Sequence, residues 1–324
     1  MIKKTDGFFE SCDKEHKIYY RVWEGQCHAR AVLQIAHGMC EHSERYDAFA
    51  EFLCERGIVV CALDHLGHGK SAADQSELGY FGRKGSHAFL AEDQDALRSL
   101  MRKKYRRLPY VIFGHSMGSF VVRDYITRFG GNVDGVVICG TAGTNKAVGM
   151  GIKLADLICF LRGRKYRSQT LRNIAFKGYN SRFAAEEGEY AWLTRNPDAR
   201  KAYADDELCG YCFTAGGYAE MFRLLKGVSG AEWAERVPLS LPIYIIAGGD
   251  DPVGSYAEGV REVYGLLDDH EQCNLSLKIY EGMRHEILNE LGREEVYAHF
   301  RFFYDEIGIF NLPIASQRDF HAFG

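Results

Sequence analysis

Long apolar runs are missing from this sequence: no stretch reaches the roughly 18 consecutive apolar residues that suggest a membrane-spanning helix. The first seven residues also lack the apolar region of a secretory signal peptide. No excess of basic residues is present, since 40 Lys and Arg stand against 44 Asp and Glu. The sequence therefore gives no electrostatic footprint for nucleic acid, and we expect a cytoplasmic globular protein.

Paired cysteine motifs are equally scarce. The ten cysteines are scattered, and C-x-x-C occurs once, at Cys209 and Cys212, without a second pair at metal-binding spacing. Cys61, Cys139 and Cys159 lie within apolar runs and are expected to be buried thiols, which suits a reducing compartment. The sequence thus predicts no metal site.

Apolar segments of strand length alternate with segments of helix length over most of the chain. Most of these strands are apolar on both faces, a pattern typical of an α/β fold with a mostly parallel central sheet flanked by helices. The first two predicted strands form a hairpin at the sheet edge. The predicted strands are 8–12, 17–23, 31–36, 58–63, 110–113, 133–139, 242–247 and 275–280.

The alternation stops between about residues 141 and 238, where the sequence predicts short helices and loops. Because strands resume afterwards, we interpret this part as a helical cap inserted into one α/β core. The predicted division is 1–140 for the first part of the core, 141–238 for the cap, 239–307 for the second part of the core and 308–324 for a carboxy-terminal tail.

Residues 114–118 read Gly-His-Ser-Met-Gly and fit the G-x-S-x-G nucleophile elbow. A predicted buried strand precedes them and a predicted helix follows, which is the context that such an elbow requires. Glycines at 114 and 118 leave room for the sharp turn, because a Cβ at either place would crowd it. The pattern predicts that Ser116 is a nucleophile at the amino terminus of a helix.

A serine nucleophile needs a base and an acid that orients the base, in the chain order Ser, Asp or Glu, His. Asp251 follows a late strand, and His285 follows the last strand, before a predicted helix at 287–303. Asp250 is the competing acid; Pro252 favours Asp251, because it restricts the preceding backbone to an extended form. For the oxyanion hole we predict the backbone N–H groups of Met117 and Met39.

These motifs resemble those of the monoacylglycerol lipase and lysophospholipase group of α/β-hydrolases, also classed with serine aminopeptidase-like hydrolases. The resemblance implies a carboxylic-ester hydrolase that acts on a mono-acyl lipid, first monoacylglycerol and then lysophospholipid, without metal or organic cofactor. It also implies that Glu41 and Arg45 lie at the polar end of the pocket. The matching motifs are His37-Gly38 with Glu41-His42-Ser43 and Arg45-Tyr46, Asp64-His65 with Gly67-His68-Gly69 and Ser71, 114–118, Asp251-Pro252-Val253, and Gly282 with His285-Glu286.

Three alternatives stay open. A small-ester esterase is consistent with the same three residues. A peptidase or amidase is also consistent with them, and it would need acids such as Glu186, Glu187 or Glu189 to anchor a free amine. A non-catalytic binding protein on a hydrolase fold is the third alternative.

A helix predicted at 149–163 carries an apolar stripe that includes Leu157 and Ile158. One interpretation is a plain cap helix over the active site, with these two residues toward the substrate. The other is transient contact with lipid surfaces, helped by the basic residues at the helix end. The sequence leaves the oligomeric state undecided.

Overall fold

The computed structural model describes residues 1–306, apart from the side chains of Glu186 and of residues 301–306. Eight strands form one sheet in the order β1-β2-β4-β3-β5-β6-β7-β8. The pairs β1–β2 and β2–β4 are antiparallel and all others are parallel, which confirms the predicted fold class. The strands are Lys3–Glu10, Lys17–Glu24, Ala31–Ala36, Ile58–Leu63, Tyr110–His115, Gly135–Cys139, Ile243–Gly248 and Leu275–Tyr280 (β1 to β8).

Helices cover both faces of this sheet, so alternate side chains of one strand enter two separate apolar clusters. In β6, Val136 and Ile138 belong to one cluster, whereas Val137 and Cys139 belong to the other. This two-sided burial explains why the central strands are continuously apolar. The helices are Asp47–Cys54, His87–Lys104, Met117–Phe129, Val148–Arg162, Gln169–Ala175, Pro197–Asp205, Ala215–Gly227, Ala231–Ala234, Glu258–Asp268 and Arg293–Glu306 (α1 to α10).

Between β6 and β7 the chain forms helices α4 to α8, within the range that we predicted as the cap. Helix α4 is attached to α7 by Arg223, whose guanidinium donates to both carboxylate oxygens of Asp156 at 2.5 Å. Hereafter residues 141–238 are called the cap segment. Residue 307 and the predicted tail 308–324 lie outside the described residues.

Two predicted elements, the first strand and the last helix, begin more than two residues away from their observed starts. Strand β1 begins at Lys3 and ends at Glu10, because an edge strand that is mostly exposed shows little apolar pattern. The last helix begins at Arg293, after Gly292 with φ +84°. Residues before it are fixed by tertiary contacts instead: the buried Glu290 carboxylate accepts the Arg284 N–H at 3.0 Å.

Candidate active site

Ser116 lies in the turn between β5 and α3, with φ 54° and ψ −121°. A left-handed backbone is strained for a residue with a side chain, and such strain persists only where surrounding structure imposes it. The glycines on either side show how tightly the turn is packed. A Cβ at position 114 would lie 2.3 Å from the carbonyl oxygen of Gly118, and a Cβ at position 118 would lie 2.0 Å from the carbonyl oxygen of Ala36. The turn therefore has the geometry predicted for a nucleophile elbow.

Asp251 and His285 meet beside this turn. The Nδ1 atom of His285 lies 2.9 Å from Oδ2 of Asp251, and both side chains are almost fully buried. The other carboxylate oxygen of Asp251 accepts the N–H of Val253 at 2.8 Å, which fixes the carboxylate plane. Asp250 is exposed. The arrangement selects Asp251 as the partner of His285 and leaves Asp250 outside.

Two aromatic rings enclose the imidazole of His285. The Trp192 ring lies 5.1 Å away and the His115 ring 4.6 Å away, measured between centroids. Trp192 also accepts the backbone N–H of His285 at 3.4 Å through its carbonyl oxygen. The cap segment thus helps to hold His285 in place, a role for Trp192 that the sequence pattern did not indicate.

The predicted oxyanion donors Met39 and Met117 both line the same cavity as Ser116. Met117 is the first residue of α3, so its N–H has no intrahelical acceptor, and the helix dipole adds positive potential there. Met39 follows Gly38, whose own N–H donates to the Glu41 carboxylate at 2.5 Å. That bond holds the loop after β3 in place and leaves Met39 as the candidate second donor.

A buried ionic network connects this loop to the segment that carries His285. Arg45 donates to Glu41 at 2.7 Å and makes two bonds to Glu286, at 2.7 and 2.8 Å. Tyr46 donates its hydroxyl to Glu41 at 2.9 Å. Since Glu286 adjoins His285, one guanidinium links two segments that form the site.

The network sets the protonation of its members. Burial acts to raise the pKa of Glu41, but the nearby His115 and Arg45 outweigh it and hold that pKa well below its ordinary value. Burial acts to lower the pKa of His115, but Glu41 outweighs it and raises that pKa. The two pKa shifts favour an ionised Glu41 carboxylate and a protonated His115 imidazole, beside Ser116.

Above these residues lies a cavity of about 740 Å³, within the usual size of a small-molecule site. Ser116, His285 and Glu41 line it, whereas Arg45, which bonds to Glu41, does not. The cap segment contributes most of the wall through side chains such as Ile174, Phe176, Tyr179, Trp192, Met221, Phe222 and Leu225.

Leu157 and Ile158 are placed elsewhere. Leu157 is 52% exposed, Ile158 is half-buried against the core, and neither lines the cavity. From α4 the lining receives Val148 and Gly151 instead. The side of the helix that faces the cavity is therefore not the predicted stripe.

The acids weighed as an amine anchor are also engaged elsewhere. Glu187 pairs with Arg284 at 2.7 Å, and Glu189 pairs with Arg172. Neither lines the 740 Å³ cavity, and the side chain of Glu186 is outside the described part of the protein. For Glu187 and Glu189, then, the structure offers no anchor for a free amine in this cavity.

Comparison with known proteins gives a consistent result. The family model described as serine aminopeptidase, S33, matches residues 27–292. The monoacylglycerol lipase of Mycolicibacterium smegmatis is 28% identical over 85% of this chain and 88% of its own length. The human monoglyceride lipase is 26% identical over 85% of this chain and 81% of its own length. A carboxyl esterase from Bacillus coagulans, solved with glycerol, superposes with a TM-score of 0.88 at 31% identity, covering 94% of this chain and 98% of that one.

Proposed function

The chain belongs to the serine aminopeptidase S33 family and is a serine carboxylic-ester hydrolase of the monoacylglycerol lipase group, and we propose that it cleaves monoacylglycerols through an acyl-enzyme on Ser116. Family membership decides against the non-catalytic alternative. The observation that carries the proposal is the Asp251–His285 pair at 2.9 Å, with His285 and Ser116 lining one cavity whose wall mixes apolar and polar side chains.

In the proposed reaction His285 takes the hydroxyl proton of Ser116 while Ser116 attacks the ester carbonyl. Asp251 holds the imidazole in the required tautomer and stabilises its charged form. The N–H groups of Met39 and Met117 then stabilise the negative oxygen of the tetrahedral intermediate. The protonated His285 donates to the departing alcohol, and water reverses these steps to release the fatty acid.

Monoacylglycerol is favoured by the carboxylates of the cavity. Glu41 and Glu286 both line it, whereas their shared cation, Arg45, does not. Carboxylate oxygens can accept hydrogen bonds from the hydroxyls of an uncharged diol. Because the lining also includes the cations Lys146, Lys177 and Arg182, lysophospholipid is kept as the second choice.

The outer face of α4 supports a further part of the proposal, contact with the surface of lipid aggregates. Met150, Leu157, Phe160 and Leu161 are 70, 52, 85 and 65% exposed, an unusual concentration of large apolar side chains. None of the helices in residues 1–306 is both long and apolar enough to cross a bilayer. We therefore propose that α4 lies on a lipid surface while the cavity receives single substrate molecules.

The basic residues after α4 have a smaller role than the sequence suggested. Arg164 pairs with Glu220 at 3.0 Å, Lys165 pairs with Glu77 at 3.2 Å, and Arg167 donates to the carbonyl oxygen of Gln75 at 2.7 Å. Because these cations have partners within the protein, lipid contact should depend on apolar burial more than on anionic headgroups.

The proposed substrate is tested by measuring kcat/KM on matched panels of monoacylglycerols, lysophospholipids, short aryl esters and aminoacyl amides. We expect the highest value for a monoacylglycerol, with Ser116→Ala inactive on every panel. A higher value for the aminoacyl amides would support the peptidase alternative, and a higher value for short aryl esters would support a small-ester esterase.

A further inference from the structure

A second cluster of reactive side chains lies where the cap segment meets the loop after β3. His42 comes from that loop, and Asp206 and Cys209 follow helix α6 in the cap segment. Within the described part of the chain, the candidate ligand atoms of these three residues all lie within 4.8 Å of one another. The Nε2 atom of His42 is 2.9 Å from Oδ2 of Asp206. The proposed ester hydrolysis uses none of the three.

One nitrogen, one oxygen and one sulfur donor form a set that suits a borderline-soft divalent ion, and zinc above all. Ligand atoms bound tetrahedrally to one zinc ion at about 2.0–2.3 Å lie roughly 3.3–3.8 Å apart. The most widely separated pair of ligand atoms, at up to 4.8 Å, therefore needs to close by about 1.5 Å at most, and the His42–Asp206 pair needs to open slightly from 2.9 Å. His42 and Cys209 are buried, whereas Asp206 is half-buried and leaves a path from solvent.

We propose that His42, Asp206 and Cys209 form a Zn²⁺ site with water as the fourth ligand. Binding is by the thiolate, so the sulfur–zinc bond forms as the thiol proton of Cys209 passes to solvent. Affinity should accordingly rise with pH. The C-x-x-C motif of Cys209 and Cys212 did not indicate this site, because Cys209 is the one cysteine among the three proposed ligands.

Hydrogen bonds already hold the backbone around the cluster in place. Asp206 accepts the N–H of Leu208 at 2.8 Å through its second carboxylate oxygen, and its carbonyl oxygen accepts the N–H of Cys209 at 2.9 Å. Gly210 donates its N–H to the carbonyl oxygen of Cys40 at 3.1 Å, which joins the cap segment to the loop. Outer hydrogen bonds of this kind orient metal ligands. A bound ion would add a clamp across the same boundary, next to the loop that carries Met39.

The test is a titration of the chelator-treated full chain with Co²⁺ and then with competing Zn²⁺. The exposed Cys27 and Cys273 are first replaced by Ser, so that surface thiols do not contribute. We expect about one equivalent of Co²⁺, with thiolate-to-cobalt charge-transfer absorption in the near ultraviolet. Zn²⁺ should displace it and raise the melting temperature.

Matched variants decide the ligands. Cys209→Ser should lose the charge-transfer band and weaken Zn²⁺ binding by about tenfold or more, whereas Cys212→Ser, three residues away and outside the cluster, should keep both. Asp206→Asn should keep the band and bind Zn²⁺ more weakly. This variant tests the site if Cys209→Ser does not fold. Absence of the band, its survival in Cys209→Ser, or equal loss in Cys212→Ser would overturn the proposal.

Discussion

The guanidinium of Arg45 makes two hydrogen bonds, of 2.7 and 2.8 Å, to the carboxylate of Glu286, the residue beside His285. The same guanidinium bonds to Glu41, which in turn accepts the N–H of Gly38. One cation thus connects the loop of the proposed oxyanion hole to the loop of the proposed base, His285. The spacing of these loops depends on a buried charge, not on apolar packing alone.

Replacement of Arg45 should therefore destabilise the protein strongly. Arg45→Met leaves Glu41 and Glu286 buried without their cation, and such a loss typically costs about 3–5 kcal/mol in the free energy of unfolding. Urea unfolding followed by circular dichroism measures it. As a control, Lys201→Met breaks the exposed pair with Asp205 and should hardly move the urea midpoint. Equal small effects in both variants would show that the network does not hold the loops.

The two neighbouring acids should differ sharply in their effect on turnover. Asp251→Asn removes the carboxylate that orients His285 and should lower kcat by about 10⁴-fold. Asp250→Asn, at an exposed position, should change it little. Steady-state kinetics on one monoacylglycerol decides between them, and the reverse ranking would assign the acid to Asp250.

Asp93 should make stability dependent on pH. Burial raises its pKa from 3.8 to about 6, and the carboxylate accepts bonds from the Ser11 hydroxyl and the Cys12 N–H. The folded state therefore holds this proton more tightly than the unfolded state. The stabilisation that Asp93 gives the folded state is complete below its pKa in the unfolded chain, and it is lost as pH rises through its pKa in the folded protein.

Between about pH 4.5 and about pH 8, wild type should thus lose about 2 kcal/mol relative to Asp93→Asn, which cannot ionise. An Asn at this position can still pair with the Ser11 hydroxyl. Unfolding curves of both proteins at the two pH values test the difference. Parallel pH profiles would count against the raised pKa of Asp93.

The exposed face of α4 predicts membrane association. Leu157→Asp combined with Phe160→Asp should abolish co-sedimentation with lipid vesicles. Binding of the wild type should depend little on salt, because apolar burial drives the contact. Leu239→Asp is the matched control, since Leu239 is 45% exposed but precedes β7 at the opposite edge of the sheet from the active site. Unchanged binding of the double variant would exclude this face.

The positions of Ser116, Asp251 and His285 were predictable because each follows a strand with a clear pattern, buried throughout in β5 and β7 and alternately apolar in β8. Parallel strands bring their carboxyl ends to one edge of the sheet. The contact face of α4 was not. That helix has large apolar residues on several sides, including Ile152 and Phe160, so its periodicity does not select a buried face. Which side is buried depends on α7 and the cavity, and these contacts are tertiary.

The same reason applies to Glu286 and Trp192. A glutamate next to a histidine shows no sign of an arginine 241 residues away, although the pair is buried. Trp192 reaches the imidazole of His285 only because the cap segment packs against the loop after β8. Sequence patterns report local periodicity and turns, whereas these contacts depend on how distant segments pack.

The proposal that Ser116 carries the acyl group during turnover is tested by fluorophosphonate labelling followed by peptide mass spectrometry, with turnover of a monoacylglycerol measured on the same samples. We predict one adduct, on Ser116, and in Ser116→Ala no adduct and turnover below about a thousandth of wild type. An adduct on another residue, or turnover of Ser116→Ala above that level, would show that Ser116 does not carry the acyl group.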